Sequence, residues 1–197
     1  MTDNLAWLPI VSPDTTFSLT EKRYYVSGYQ GTDTDEAKKS ENYQKYGTFY
    51  NWPAAMNGEM GKYTLPTGRQ GSCPDGWHLP ADEEWILLEK NLGMNSSDLK
   101  LTGLRTSGNV DKKLKSDTGW EDDDILTGNS GFNMLPAGAI SVPDRKSIYL
   151  NFAAYFWTST SESEKNAHDR YLFLFTKGIF RVHVPRSLGH SVRCIKN

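Results

Sequence analysis

The side chains able to do chemistry in this chain are few and widely spaced. Four histidines stand at His78, His168, His183 and His190, two cysteines at Cys73 and Cys194, and acidic runs at Asp82–Glu84 and Glu121–Asp124. A zinc site needs three or four ligands at close spacing. The histidines show neither an HExxH nor a CxxC frame and read as isolated surface or core residues. The acidic runs offer oxygens of the kind calcium takes, but neither has the DxDxDG frame of an EF-hand, so each reads first as a solvated turn. His190 and Cys194 are four residues apart. On a strand they share a face but lie about 13 Å from one another, too far for a base to activate a nucleophile. No acid–base or nucleophile–base pair converges along the chain, so neither catalysis nor a metal or other cofactor is expected.

The residue types that remain point to recognition. His168, Asp169, Tyr171, Phe173, Phe180, His183, Arg186 and His190 crowd the last strands and turns. Side chains alternate along a strand, so Tyr171, Phe173 and Phe175 face one way and Arg170, Leu172 and Leu174 the other. Leu172 and Leu174 read as the core row, which puts Tyr171 and Phe173 on the opposite side with His183 and Arg186 as neighbours. Exposed aromatic and arginine side chains are the usual material of binding hot spots. Periodicity alone leaves a second reading open, in which the two rings pack beneath a neighbouring loop. With three histidines in the set, binding is expected to be pH-sensitive between about pH 5 and 7.

The elements that must position these residues are short. Tyr24–Tyr29 and Tyr46–Tyr50 read as strands. Asn51 caps a short helix over Asn51–Asn57, with Pro53 in its first turn. The best helix runs from Asp82 to Leu92: acidic residues occupy its first turn, Trp85, Leu88 and Leu92 fall on one face, and Gly93 stops it. Asp111–Lys115 reads as one helical turn, and 32–45 as an exposed loop with at most a helical turn. Late strands are expected near Ala154–Thr158, Arg170–Thr176, Ile179–Val184 and Ser191–Ile195. Trp52, Trp77, Trp85 and Trp157 sit among Pro, Gly and Leu and read as core.

Composition sets the outer bounds. A chain of 197 residues builds one domain with a proper core, or at most two small ones. No internal repeat, low-complexity tract or linker divides it, so a single domain over 1–197 is expected. A net charge of -2 argues against a nucleic-acid partner, and 12% aromatic content argues against disorder. No stretch approaches the roughly 20 apolar residues of a membrane span, and no signal peptide is visible. An even pair of cysteines reads as one bridge in an exported protein and as two buried thiols in a reducing cytosol; spacing leaves both open.

Several segments match a known pattern in order: Tyr46-Gly-Thr-Phe-Tyr-Asn-Trp-Pro-Ala-Ala-Met56, Cys73-Pro-Asp-Gly-Trp-His-Leu-Pro80 with Glu84 and Trp85, Ser130-Gly-Phe-Asn-Met-Leu-Pro-Ala-Gly138, Phe156-Trp-Thr-Ser-Thr160 and Ser191-Val-Arg-Cys194. Together they resemble the Fibrobacter succinogenes major paralogous domain family over nearly the whole chain. The order also resembles the wider C-type-lectin-like group, which includes formylglycine-generating enzymes and the variable proteins of diversity-generating retroelements. The resemblance implies an α+β, C-type-lectin-like fold with two main helices and a twisted, mostly antiparallel sheet. It implies an exported protein at a bacterial cell surface or an outer-membrane lipoprotein of Bacteroidetes-type bacteria, with a family unit that begins further upstream than Met1. The lectin-like Glu-Pro-Asn and Trp-Asn-Asp calcium triplets are missing. So is the late cysteine pair of the enzyme branch, since only Cys194 lies late. Ala81 stands where a capping Ser or Thr is common, a change worth about 1 kcal/mol of helix stability.

The expectation is a non-catalytic binding module that recognises a protein or glycan through the C-terminal sheet face, where related variable proteins carry ligand contacts. The alternatives are a structural component of a surface assembly and an enzyme of unrecognised class. A Cys73–Cys194 bridge is expected if the chain is made in an oxidising compartment. It would tie the loop before the second helix to the last strand.

Overall fold

The computed structural model describes residues 1–13, 15–59, 69–121, 130–141 and 147–197. It is an α+β fold of short helices and antiparallel sheets. In chain order the elements are β1 (Tyr24–Tyr25), α1 (Thr34–Lys39), α2 (Glu41–Tyr46), β2 (Phe49–Tyr50), α3 (Trp52–Ala55), β3 (Trp77–His78), α4 (Asp82–Asn91) and β4 (Gly103–Arg105). After a 3₁₀ turn at Ser107–Asn109 come α5 (Val110–Leu114), β5 (Ala139–Ile140), β6 (Ser147–Ile148), β7 (Ala153–Ser161), β8 (Asn166–Phe173), β9 (Ile179–Pro185) and β10 (Ile195–Lys196).

The principal sheet has the order β4-β9-β8-β7 and is antiparallel throughout. Its register sets Tyr155 opposite Tyr171 and Tyr171 opposite Phe180, with Leu104 opposite Phe180 at the β4 edge. Three two-stranded pairs, β1-β2, β3-β10 and β5-β6, complete the strands. Gly138 holds a left-handed φ of 73° next to the β5–β6 pair. A Cβ there would meet the Ile148 carbonyl at 2.2 Å, so only glycine fits.

Helix α4 buries Asp82, Trp85 and Glu89, one stripe at helical spacing. Ala81 has no side chain to cap it, and the chain supplies the missing acceptors from elsewhere. The Thr160 hydroxyl of β7 accepts from Asp82 N–H at 2.9 Å, and the Glu84 carboxylate accepts from Ala81 N–H at 2.8 Å. Helix α3 is capped by the buried Asn51, whose amide oxygen accepts from Ala54 N–H at 3.0 Å and Arg23 N–H at 2.8 Å.

Three clusters make up the interior. One gathers Trp52, Trp157, Tyr50 and the Cys73–Cys194 disulfide. A second packs Trp85, Phe156, Leu172 and Ile179 between α4 and the sheet. A third is built on Tyr25, Phe49 and Ile140. The Trp52 and Trp157 indoles donate to the Thr158 and Tyr50 carbonyls at 3.0 and 2.7 Å. Trp77 is only half-buried.

Three expectations need correction. The segment 32–45 is not a loop: it forms α1 and α2, each started by a side-chain cap. Asp33 accepts from the Asp35 and Glu36 amides, and Ser40 from the Tyr43 amide. Tyr46 therefore ends a helix rather than beginning a strand. The last strand is reduced to Ile195–Lys196, paired with β3, while Ser191 makes only an isolated bridge to Phe156.

Candidate functional site

The two faces of the principal sheet differ in chemistry. Against α4 lie His168, Arg170 and Leu172 of β8 together with Ile179, Arg181 and His183 of β9. On the other face lie Asp169, Tyr171 and Phe173 of β8 with Phe180 and Val182 of β9. The eight residues expected to form one ligand face are thus split. His168 and His183 belong to the helix side, since 168 shares its parity with Arg170. Tyr171, Phe173 and Phe180 belong to the outer side, half-buried.

Asp169, Arg186 and His190 lie at neither surface; they are 0, 2 and 1% exposed. Arg186 follows β9 and turns inward. Its guanidinium lies over the Trp52 ring at 4.1 Å and donates to the Ser161 hydroxyl. His190 stacks on Trp157 at 4.3 Å, with Nδ1 3.5 Å from Asp169 Oδ2. Burial pushes the Asp169 carboxyl well up and holds the His190 imidazole down to about 3, so it disfavours the charged form of both groups. The pair is sealed from solvent. Burial also lowers His168, against an opposing pull from Asp82. Of the three histidines expected to make binding pH-sensitive, only His183 is exposed.

On the helix side the sheet carries a buried ionic network. Glu89 accepts from Arg105 at 2.6 and 2.7 Å and from Arg170 Nε at 2.8 Å. Asp82 pairs with Arg170 and with Arg181, each at 2.7 Å. Burial pushes the Asp82 carboxyl up, but the hydrogen bonds and charges of Arg181 and Arg170 outweigh it and hold it at about 2. These carboxylates already have cationic partners, so Asp82 and Glu89 are not free oxygen ligands. Glu84 itself is engaged by His78 at 2.8 Å. Among the described residues no three His, Cys, Asp or Glu side chains gather as metal ligands. Asp122–Asp124 lie outside the described residues.

The outer face carries the arrangement that stands out. Tyr155 stacks on Tyr171 with ring centroids 5.0 Å apart and planes at 25°; Tyr171 stacks on Phe180 at 4.2 Å and 7°. The row continues inward from Tyr155 to His190 at 5.2 Å and outward to Leu104, which is 42% exposed. Beside it Phe173 meets the exposed Tyr149 edge-on at 4.9 Å. Three strands in register thus hold a file of half-buried rings whose faces are turned to one another. Tyr149, Tyr155 and Leu104 were not anticipated.

Among the described residues no helix is long and apolar enough to cross a membrane. No curated protein and no solved structure matches the chain. The protein-family model described as Fibrobacter succinogenes major domain matches residues 1–196, and the chain belongs to that family.

Proposed function

We propose that this chain is a non-catalytic, C-type-lectin-like binding module, displayed at a bacterial surface, that grips a protein partner through the aromatic file on its outer sheet face. The carrying observation is the ring geometry. A sugar stacks on an open aromatic face, but here the faces of Tyr155, Tyr171 and Phe180 are spent on one another. Ring edges and hydroxyl tips suit a protein surface, where tyrosines combine apolar contact with hydrogen bonding at low entropic cost. The resemblance to variable proteins of diversity-generating retroelements supports the same segment as the recognition surface. Export is supported by the disulfide, which persists in oxidising compartments. The structural-component reading is less favoured, because the sheet's β4 edge is only three residues long and offers little backbone for strand addition.

The test compares wild type with a Tyr171→Ala, Phe180→Ala double variant and with Leu104→Lys at the rim. Each is used to capture proteins from host and bacterial extracts and applied to a glycan array. Proteins held by wild type and lost by both folded variants support the reading. Identical capture by all three places the site elsewhere, and array binding that survives the substitutions moves recognition to glycans.

A further inference from the structure

On the opposite side of the molecule from the aromatic file, a cavity of about 390 Å³ opens between α4 and the closing segment of the chain, walled by Trp77, Trp85, Leu88 and Phe132, with Arg193 and Lys196 beside them. That volume is within the range of small-molecule sites. Two of its walls carry buried N–H groups without an acceptor, Trp85 Nε1 and Arg193 Nε.

Trp85 departs from the pattern of the other buried indoles, and Arg193, which shares its unpartnered Nε with Arg105, differs from Arg105 and Arg170 in its counter-charge. The buried indoles of Trp52, Trp120 and Trp157 each donate a hydrogen bond. The buried guanidiniums of Arg105 and Arg170 are each paired with carboxylates. Arg193, 3% exposed, donates instead to neutral oxygens, namely the Asn4 side chain at 2.7 Å, the Asn133 carbonyl at 3.3 Å and the Phe132 carbonyl. Burial draws its pKa down to about 10, with only a partial offset from the exposed Asp3. A desolvated cation with no close counter-ion is costly. The carboxylate that does line the cavity, Glu84, is already occupied by His78 and the Ala81 amide.

We infer that this cavity binds a small monocarboxylate with an aromatic or branched apolar body. The carboxylate takes the Arg193 and Trp85 donors, and the body lies among Trp77, Leu88 and Phe132. Phe132 packs against both donors, 5.4 Å from the Trp85 ring and 4.5 Å from the guanidinium. Both N–H groups are covered in this structure, and the inference requires the Phe132 ring to swing aside to open them to the cavity. The inference stands apart from the aromatic file and does not depend on it.

Calorimetric titration of the disulfide-bonded chain with 3-phenylpropionate, and in parallel with 3-phenylpropan-1-ol, tests it. The expected result is one site with a Kd at or below about 1 mM for the acid and binding of the alcohol at least about tenfold weaker. Trp85→Phe, which keeps an aromatic ring but removes its donor, should weaken the acid several-fold. Leu88→Trp, which fills the cavity from a half-buried position, should abolish binding while the fold is retained. Absence of binding up to about 10 mM acid, equal affinity for acid and alcohol, or undiminished binding by a folded Leu88→Trp variant each overturns the assignment.

Discussion

Replacing Glu89 by Gln tests the ionic network between α4 and the sheet. Glu89 is fully buried and receives three hydrogen bonds of 2.6 to 2.8 Å from Arg105 and Arg170. A glutamine keeps one acceptor oxygen but turns an amide NH₂ towards a guanidinium. Around it, Asp82 and Glu89 face Arg105, Arg170 and Arg181, so two negative charges meet three positive ones. The substitution leaves one carboxylate against three cations. Breaking a buried pair by removing one partner costs about 3–5 kcal/mol, consistent with roughly 4 kcal/mol for unit charges 4 Å apart at an effective dielectric of 20. Urea unfolding followed by tryptophan fluorescence should show a midpoint lower by more than about 1 M, taking a slope of roughly 2–3 kcal/mol/M. The double variant Glu89→Leu, Arg105→Met exchanges the pair for apolar volume and should recover most of the loss. A loss below about 1 kcal/mol in Glu89→Gln, or a double variant no better than the single one, refutes the reasoning.

Acid should weaken the fold in two stages. The His190 imidazole is held down from 6.5 to about 3, so it stays neutral in the fold while the unfolded chain takes up a proton. The histidine's contribution to stability is therefore lost as the pH falls through about 6.5, while Asp169, raised by the same burial, contributes in the opposite sense. Asp82, held from 3.8 to about 2, adds a second loss as the pH falls from about 4 towards 2. A His190→Gln variant isolates the first stage: its melting temperature should gain on wild type as the pH falls from 7 to 4, and a difference between the two that does not change with pH contradicts it. Reducing the Cys73–Cys194 bridge opens a loop with a sequence separation of 121 and should lower stability by up to about 5 kcal/mol in the chain-entropy account. A Cys73→Ala, Cys194→Ala variant within about 1 kcal/mol of wild type excludes that contribution.

The legible parts of the fold are those with local causes. The acidic first turn of α4, the spacing of Trp85, Leu88 and Leu92 and the stop at Gly93 all lie within one stretch of chain. So does the alternation that sends Leu172 and Leu174 inward. α1 and α2 were not legible, because each is six residues long, too short for a periodicity to show. What starts them is a single cap, Asp33 or Ser40. The placement of the candidate residues was legible only in part, for a related reason. Polar side chains at the end of a chain look exposed until their long-range partners are known. Arg186 is drawn in by Trp52, and His190 by Trp157 and Asp169. The split of His168 from Tyr171 needed only the parity rule already applied to Arg170. Glu89, four residues beyond Trp85 and so on its face, also carried a signal that it is buried. Of its partners, Arg170 shared the parity of the core residues Leu172 and Leu174, while Arg105 carried no signal of its own.

The covalent bridge has a mechanical consequence. Cys194 lies three residues before Asn197, and its partner is far back at Cys73. Tension applied between the two ends of the chain peels β10 from β3 and then meets a bond that does not yield. Residues 74–193, which include the whole principal sheet, are enclosed in the loop and carry no load. At roughly 3.5 Å per residue the oxidised chain stretches to about 270 Å, against about 690 Å once the bridge is reduced. The aromatic file lies within the loop that carries no load, and redox state sets how far the molecule extends.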